Sequence, residues 1–147
     1  MILVSGCLYG ENCKYNGGHN LSKGVKKYCE DRQTVLVCPE VLGGLSIPRS
    51  PAEIVGGTAK DVLDGKAKVI NCKGRDVTGA FIQGAYLTLD IAKKNNINLA
   101  ILKANSPSCG KGKIYDGHFQ KKLIVGNGIT AELLLREGIE VITELDL

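Results

Sequence analysis

Four short runs of Val, Ile and Leu constrain this chain more than any other feature: Ile2–Ser5, Thr34–Val37, Leu99–Leu102 and Glu140–Ile142. Each is too brief for a helix and is apolar with little alternation, the pattern of strands buried on both faces of a parallel sheet. The stretches between them carry helical periodicity: Leu21–Asp31 behind a capping candidate at Asn20, Val77–Asn95 behind Asp76 or Thr78, and Ile129–Glu137. Asn95-Asn96 can end the middle helix, and Gly138 stands where a helix-terminating residue of left-handed conformation is wanted. The order is β-α-β, insertion, α-β, loop, α-β. It predicts an α/β fold: a single-domain, open, mainly parallel sheet with flanking helices, Rossmann-like and three-layered, spanning residues 1–147. Two Phe, five Tyr and no Trp fit such a core better than an aromatic-rich sandwich.

Two stretches are less regular. Pro39 to about Arg75 reads as an insertion over the sheet, its only strand-like piece Lys66–Asn71 leading to a Lys73-Gly74 turn. Glycine-rich Asn105–Gly128 contains one short extended piece around Lys113–Phe119.

The net charge of +4 comes from scattered lysines without interleaved aromatics, so no nucleic-acid partner is expected. The opening Met1-Ile-Leu-Val-Ser-Gly-Cys7 has no basic leader and is too short to span a membrane, which predicts a cytoplasmic protein with no membrane partner. There the six cysteines are not a disulfide framework, because the cytosol keeps thiols reduced. Metal ligation or thiol chemistry is the alternative.

Cys7, Cys38 and Cys109 follow the first, second and third of the strands, so a parallel sheet brings all three to one edge. Three soft thiolates suit an iron–sulfur cluster or zinc. Cys29 and Cys72 read as small buried hydrophobes. Cys13 is open between fourth ligand, resolving thiol and structural residue. Glu40, two residues after Cys38, and Ser106, three before Cys109, are placed to move protons, or else are a solvated charge and a turn cap. Arg49 lies in a proline-stiffened loop, as a positioned polar group or a surface salt bridge, whereas His19 and His118 read as turn and surface residues. Phosphate loops, Gly-x-Gly-x-x-Gly, Cys-x-x-Cys and His-Glu-x-x-His are missing, against nucleotide hydrolysis, dinucleotide redox, thioredoxin-like and zinc-protease chemistry.

Val4-Ser5-Gly6-Cys7-Leu8 with Cys13, Tyr15 and Gly17-Gly18-His19-Asn20, then Cys38-Pro39-Glu40-Val41-Leu42-Gly43-Gly44-Leu45 with Pro48-Arg49, then Ser106-Pro107-Ser108-Cys109-Gly110, occur in that order. This set resembles a small bacterial family, long catalogued as a domain of unknown function, whose characterised relatives are 2-thiouracil desulfurases. The resemblance implies a [4Fe-4S] cluster on Cys7, Cys38 and Cys109, with the fourth iron free to bind substrate sulfur. It implies a non-redox conversion of a small thiolated heterocycle, a 2-thiouracil-like pyrimidine, to uracil and hydrogen sulfide, proton transfer by Glu40 and Ser106, and supply of the cluster by cluster-assembly machinery. Gly6 stands where Ala is expected and Ser50 where Pro is frequent. Some relatives carry a second domain. Two other readings stay open: a non-catalytic iron–sulfur or zinc module for binding or sensing, and a thiol enzyme with Cys109 as nucleophile and Cys13 as resolving partner.

Overall fold

The computed structural model describes residues 1–147. Strands β1 (Ile2–Ser5), β2 (Thr34–Val37), β5 (Leu99–Leu102) and β8 (Glu140–Thr143) form one sheet in the order β2-β1-β5-β8, every pair parallel. Alternate residues of each strand face opposite sides. Leu3, Ala100, Leu102 and Val141 enter a larger core with α3 (Ala59–Leu63), α4 (Thr78–Lys94) and α5 (Ile129–Arg136). Ile2, Val4 and Ile101 enter a smaller one with Val25 and Cys29 of α1 (Lys23–Cys29). Helices on both faces make the three layers expected, and no helix is long and apolar enough to cross a membrane.

Helix ends depart slightly from the sequence pattern. α1 begins at Lys23, and Ser22 caps it through Oγ and the Val25 N–H at 3.2 Å; Asn20 instead gives its backbone N–H to the Cys7 carbonyl at 2.9 Å. Before α4, Asp76 accepts the Thr78 N–H at 2.9 Å, while the Thr78 hydroxyl turns to the Val69 N–H at 2.9 Å. Asn95 ends α4, and Gly138, at φ +78°, follows α5 as expected.

The irregular stretches hold more structure than their sequence announces. β3 (Ala52–Val55) pairs antiparallel with β4 (Lys68–Asn71), so the expected lone strand is half of a hairpin. Glu53 interrupts β3 and hides it. The second extended piece stops at Tyr115: β6 (Lys113–Tyr115) pairs antiparallel with β7 (Leu123–Val125), and residues 116–122 form the turn. α3 starts at a Thr58–Asp61 capping box.

One further helix, α2 (Pro39–Leu42), leaves directly from β2 and crosses α4 at backbone contact. A β-carbon on Gly43 would lie 1.9 Å from the Ala80 carbonyl oxygen, and one on Gly84 would lie 1.9 Å from that of Pro39. Only two facing glycines let these backbones meet.

Candidate functional site

From β1 the chain passes to β2 on one side and later returns to β5 on the other, so the strand order reverses at β1. The crevice beyond the carboxyl ends of the strands at such a switch point is where open α/β sheets collect ligands. A cavity of about 540 Å³ opens there, and Cys7, Cys38, Cys109, Glu40 and Ser106 all line it.

Each thiol is fixed by a different local device. Cys7 sits in a 3₁₀ turn, Gly6–Tyr9, that continues β1, and its carbonyl accepts the Gly10 and Asn20 N–H groups at 3.3 and 2.9 Å. Cys38 is the extended residue before α2, with Pro39 opening the helix, so the α2–α4 crossing sets its place. Cys109 ends a loop bonded to α5: the Gly128, Ile129 and Thr130 N–H groups donate to the carbonyls of Gly110, Pro107 and Ser108 at 2.7, 2.8 and 2.8 Å. First-turn N–H groups have no partner inside their own helix, and here the loop supplies the acceptors. The Ser108 and Thr130 hydroxyls add a buried bond of 3.0 Å.

Ser106 Oγ accepts the Ser108 and Cys109 N–H groups, each at 3.0 Å. It therefore is the turn cap foreseen as one reading, and with both bonds accepted its own proton remains to be donated. Arg49 pairs with Glu40, Nε to Oε2 at 2.8 Å, but not at the surface: their side chains are 8% and 19% exposed. Its Nη2 also donates to the Cys13 carbonyl at 2.9 Å and stands 4.0 Å from the Cys38 sulfur.

Cys13 joins Cys7 and Cys38. A hydrogen bond with the Cys13 thiol is the main cause holding each of their thiols down to about 7, with burial opposing it. The same bonds, to Cys38 and then Cys7, push the Cys13 thiol far up, so it keeps its proton. Asn20 also hydrogen-bonds the Cys7 sulfur. Cys109 differs: burial pushes its thiol up, with a smaller opposing contribution from the Ser5 hydroxyl.

The other cysteines divide. Cys29 is buried, as its helical setting predicts, but Cys72 is exposed and lines the cavity from the turn that follows β4. His19 accepts the Leu21 N–H at 3.1 Å before α1, and His118 is exposed in the β6–β7 turn. Sequence reasoning missed Ser5, Lys103, Glu53, Tyr115 and Phe119 on the cavity wall. For Ser5 and Lys103 the available signal was their place at the end of β1 and directly after β5; for Glu53, Tyr115 and Phe119 the undetected strand pairings withheld it.

No group of three or more His, Cys, Asp or Glu side chains converges on a point where a single metal ion would sit. A polynuclear cluster makes a different demand, since each thiolate binds its own iron and the sulfurs stand apart around a bulky core. Soft donors spread over one cavity wall fit that demand.

Comparison with known proteins agrees with this geometry. An uncharacterized protein of Bacillus subtilis (strain 168), YbbK, is 52% identical over 147 residues, 100% of this chain and 97% of the relative. The solved structure of the [4Fe-4S]-dependent thiouracil desulfidase TudS superposes with a TM-score of 0.87 at 38% identity, covering 99% of this chain and 91% of that one. Residues 2–146 match the 2-thiouracil desulfurase family, and the chain belongs to it.

Proposed function

We propose that this chain, acting as one catalytic domain over residues 1–147, removes sulfur from a thiolated pyrimidine of the 2-thiouracil kind, with a [4Fe-4S] cluster held by Cys7, Cys38 and Cys109. The observation that carries the reading is the meeting of these cysteines, Glu40 and Ser106 on one cavity at the switch point of the sheet. Likeness to TudS supports the cluster and the substrate class. The reaction balances without an oxidant: thiocarbonyl plus water gives carbonyl plus hydrogen sulfide. When bound, the cluster supplies, at an iron without a protein ligand, a soft Lewis acid for the thiocarbonyl sulfur.

The chain's own residues supply the rest. Glu40, held through Oε2 by Arg49, takes a proton from the attacking water with Oε1, which has no protein donor. Ser106 donates its free hydroxyl proton toward the ring or the departing sulfur, its oxygen fixed by two backbone N–H groups. Cys13, the protonated thiol between two ligands, can donate its one S–H proton to the sulfur of Cys38 or of Cys7, an outer partner of the kind that orients metal ligands. Cys109 suits ligation better than nucleophilic attack, because burial keeps its thiol protonated until a metal displaces the proton. The six free thiols are in keeping with a reducing, cytoplasmic setting and cluster delivery by assembly machinery.

The test is anaerobic reconstitution with iron and sulfide, then measurement of uracil and sulfide released from 2-thiouracil. Equal release of both products is expected. Loaded protein that releases neither from any thiolated pyrimidine would sink the proposal in favour of a binding or sensing module.

A further inference from the structure

The outer wall of the cavity belongs to the two hairpins, and one of them is held in an unfavourable conformation. In the β6–β7 turn, Phe119 and Lys121 have φ of +53° and +59°, a left-handed region that bulky side chains avoid. Such backbone persists only where its surroundings impose it, and it concentrates at functional sites. What imposes it is Glu53 of β3, a buried carboxylate, 8% exposed, that makes no ion pair. Its Oε1 accepts the Gly117 N–H at 2.9 Å and the Phe119 N–H at 3.3 Å. Gly117 itself presses on β3 so closely that a β-carbon there would lie 2.5 Å from the Ile54 carbonyl oxygen. The turn is thus pinned at two points, and the pinned aromatic is 40% exposed, on the wall of the cavity that holds the cysteines.

We propose that Phe119 is the stacking surface for the planar ring of the substrate, and that Glu53 is the positioning residue that holds it there. The substrate class rests on the function proposed above. An aromatic face offers a flat heterocycle dispersion and stacking whatever its substituents, and it fixes the plane in which the thiocarbonyl approaches the sheet edge. A carboxylate is costly to bury, and here it is committed to two N–H groups of a strained turn; a hairpin needed only for folding would gain nothing from placing an exposed Phe at positive φ.

The test uses the reconstituted protein and 5-fluorouracil, a planar ring without the sulfur, titrated by fluorine NMR. Phe119→Ala should weaken binding about five- to tenfold, the size of one base–aromatic stacking contact, and should raise KM for 2-thiouracil by a similar factor, the loss falling on KM rather than on kcat. Phe119→Trp should retain binding. Glu53→Ala should match Phe119→Ala and add little to it in the double variant, whereas Glu53→Gln, which keeps an oxygen for both N–H groups, should recover most of the loss. No binding by the unsubstituted protein, or unchanged affinity in Phe119→Ala, overturns the stacking role. Additive losses in the double variant overturn the positioning role of Glu53. Ring binding that depends on Phe119 in a loaded protein that releases no sulfide would leave the stacking wall standing and remove the desulfuration reading.

Discussion

Arg49 holds Glu40 by one carboxylate oxygen, Nε to Oε2 at 2.8 Å, and with the same guanidinium binds the carbonyl of Cys13 at 2.9 Å. One buried cation therefore fixes the proposed base and the loop of the central thiol together. Glu40→Gln, which retains a hydrogen-bond acceptor, should lower turnover about 10²-fold at unchanged iron content. Arg49→Ala should also lower it, but by little more once Glu40 is already Gln, because residues sharing a contact are not additive. It should also cost about 3 kcal/mol of stability, the lower end for breaking a buried pair, since Glu40 keeps some exposure. Steady-state rates and thermal unfolding of the four proteins in this cycle check both statements; full additivity would mean that Arg49 does not act through Glu40.

Cys13 should govern thiol reactivity in the cluster-free chain. The Cys13 hydrogen bond holds the Cys7 and Cys38 thiols down to about 7, so the pair shares an appreciable thiolate fraction at neutral pH. Cys13→Ala removes the hydrogen bond that favours the thiolates, so both values rise toward the ordinary thiol value and the ionised fraction at pH 7 falls. Alkylation of Cys7 and Cys38 by iodoacetamide, followed by peptide mass spectrometry, should slow about tenfold at pH 7 and approach the unsubstituted rate near pH 10. Cys109, buried and with its thiol pushed up, should stay unlabelled at neutral pH in both proteins. Equal rates at pH 7 would refute the role given to Cys13.

The crossing of α2 over α4 leaves no room for a methyl group. Gly84→Ala or Gly43→Ala should destabilise the protein by about 1–3 kcal/mol, the usual penalty for overpacking, measured as a lower denaturation midpoint. Because Cys38 directly precedes α2, cluster content after reconstitution should fall as well. A Gly79→Ala control on the same helix, where a β-carbon meets nothing within 4 Å, should do neither.

The proposed ligand set predicts which cysteines matter. Cys7→Ser, Cys38→Ser and Cys109→Ser should each abolish stable loading, since alkoxide is a poor ligand for these irons, whereas Cys29→Ser and Cys72→Ser should retain iron and acid-labile sulfide. Protein handled in air should lose iron, because the cavity is open to solvent and an iron without a protein ligand is exposed to oxygen. Metal analysis decides each case.

The central sheet was legible because its strands announce themselves: Ile2–Ser5 and Leu99–Leu102 are short apolar runs packed on both faces, and Thr34–Val37 repeats the pattern at the sheet edge, where Leu36 is nonetheless exposed. From those strand ends the meeting of Cys7, Cys38 and Cys109 followed. β3 and β7 were not legible, because short hairpin strands carry weak patterns: Glu53 breaks one, and all of Leu123–Val125 is exposed in the other. With the hairpins went the outer wall, including Phe119, and the exposure of Cys72. Arg49 reads from sequence as a loop cation; its burial depends on Glu40 and Cys13, which are distant in the chain or on another loop.

The loop of Cys109 spends its carbonyls on the first turn of α5, so it cannot shift without leaving that helix end unsatisfied. Unlike a zinc finger, whose ligands find one another only when the ion arrives, this chain sets the thiol in place with bonds that involve no ligand. Entry of the proposed cluster would then resemble docking into a finished mould, not the last step of folding. Circular dichroism and unfolding cooperativity of the metal-free protein should accordingly stay close to those of the reconstituted one, and the chain should survive repeated loss and reloading of the proposed cluster without refolding.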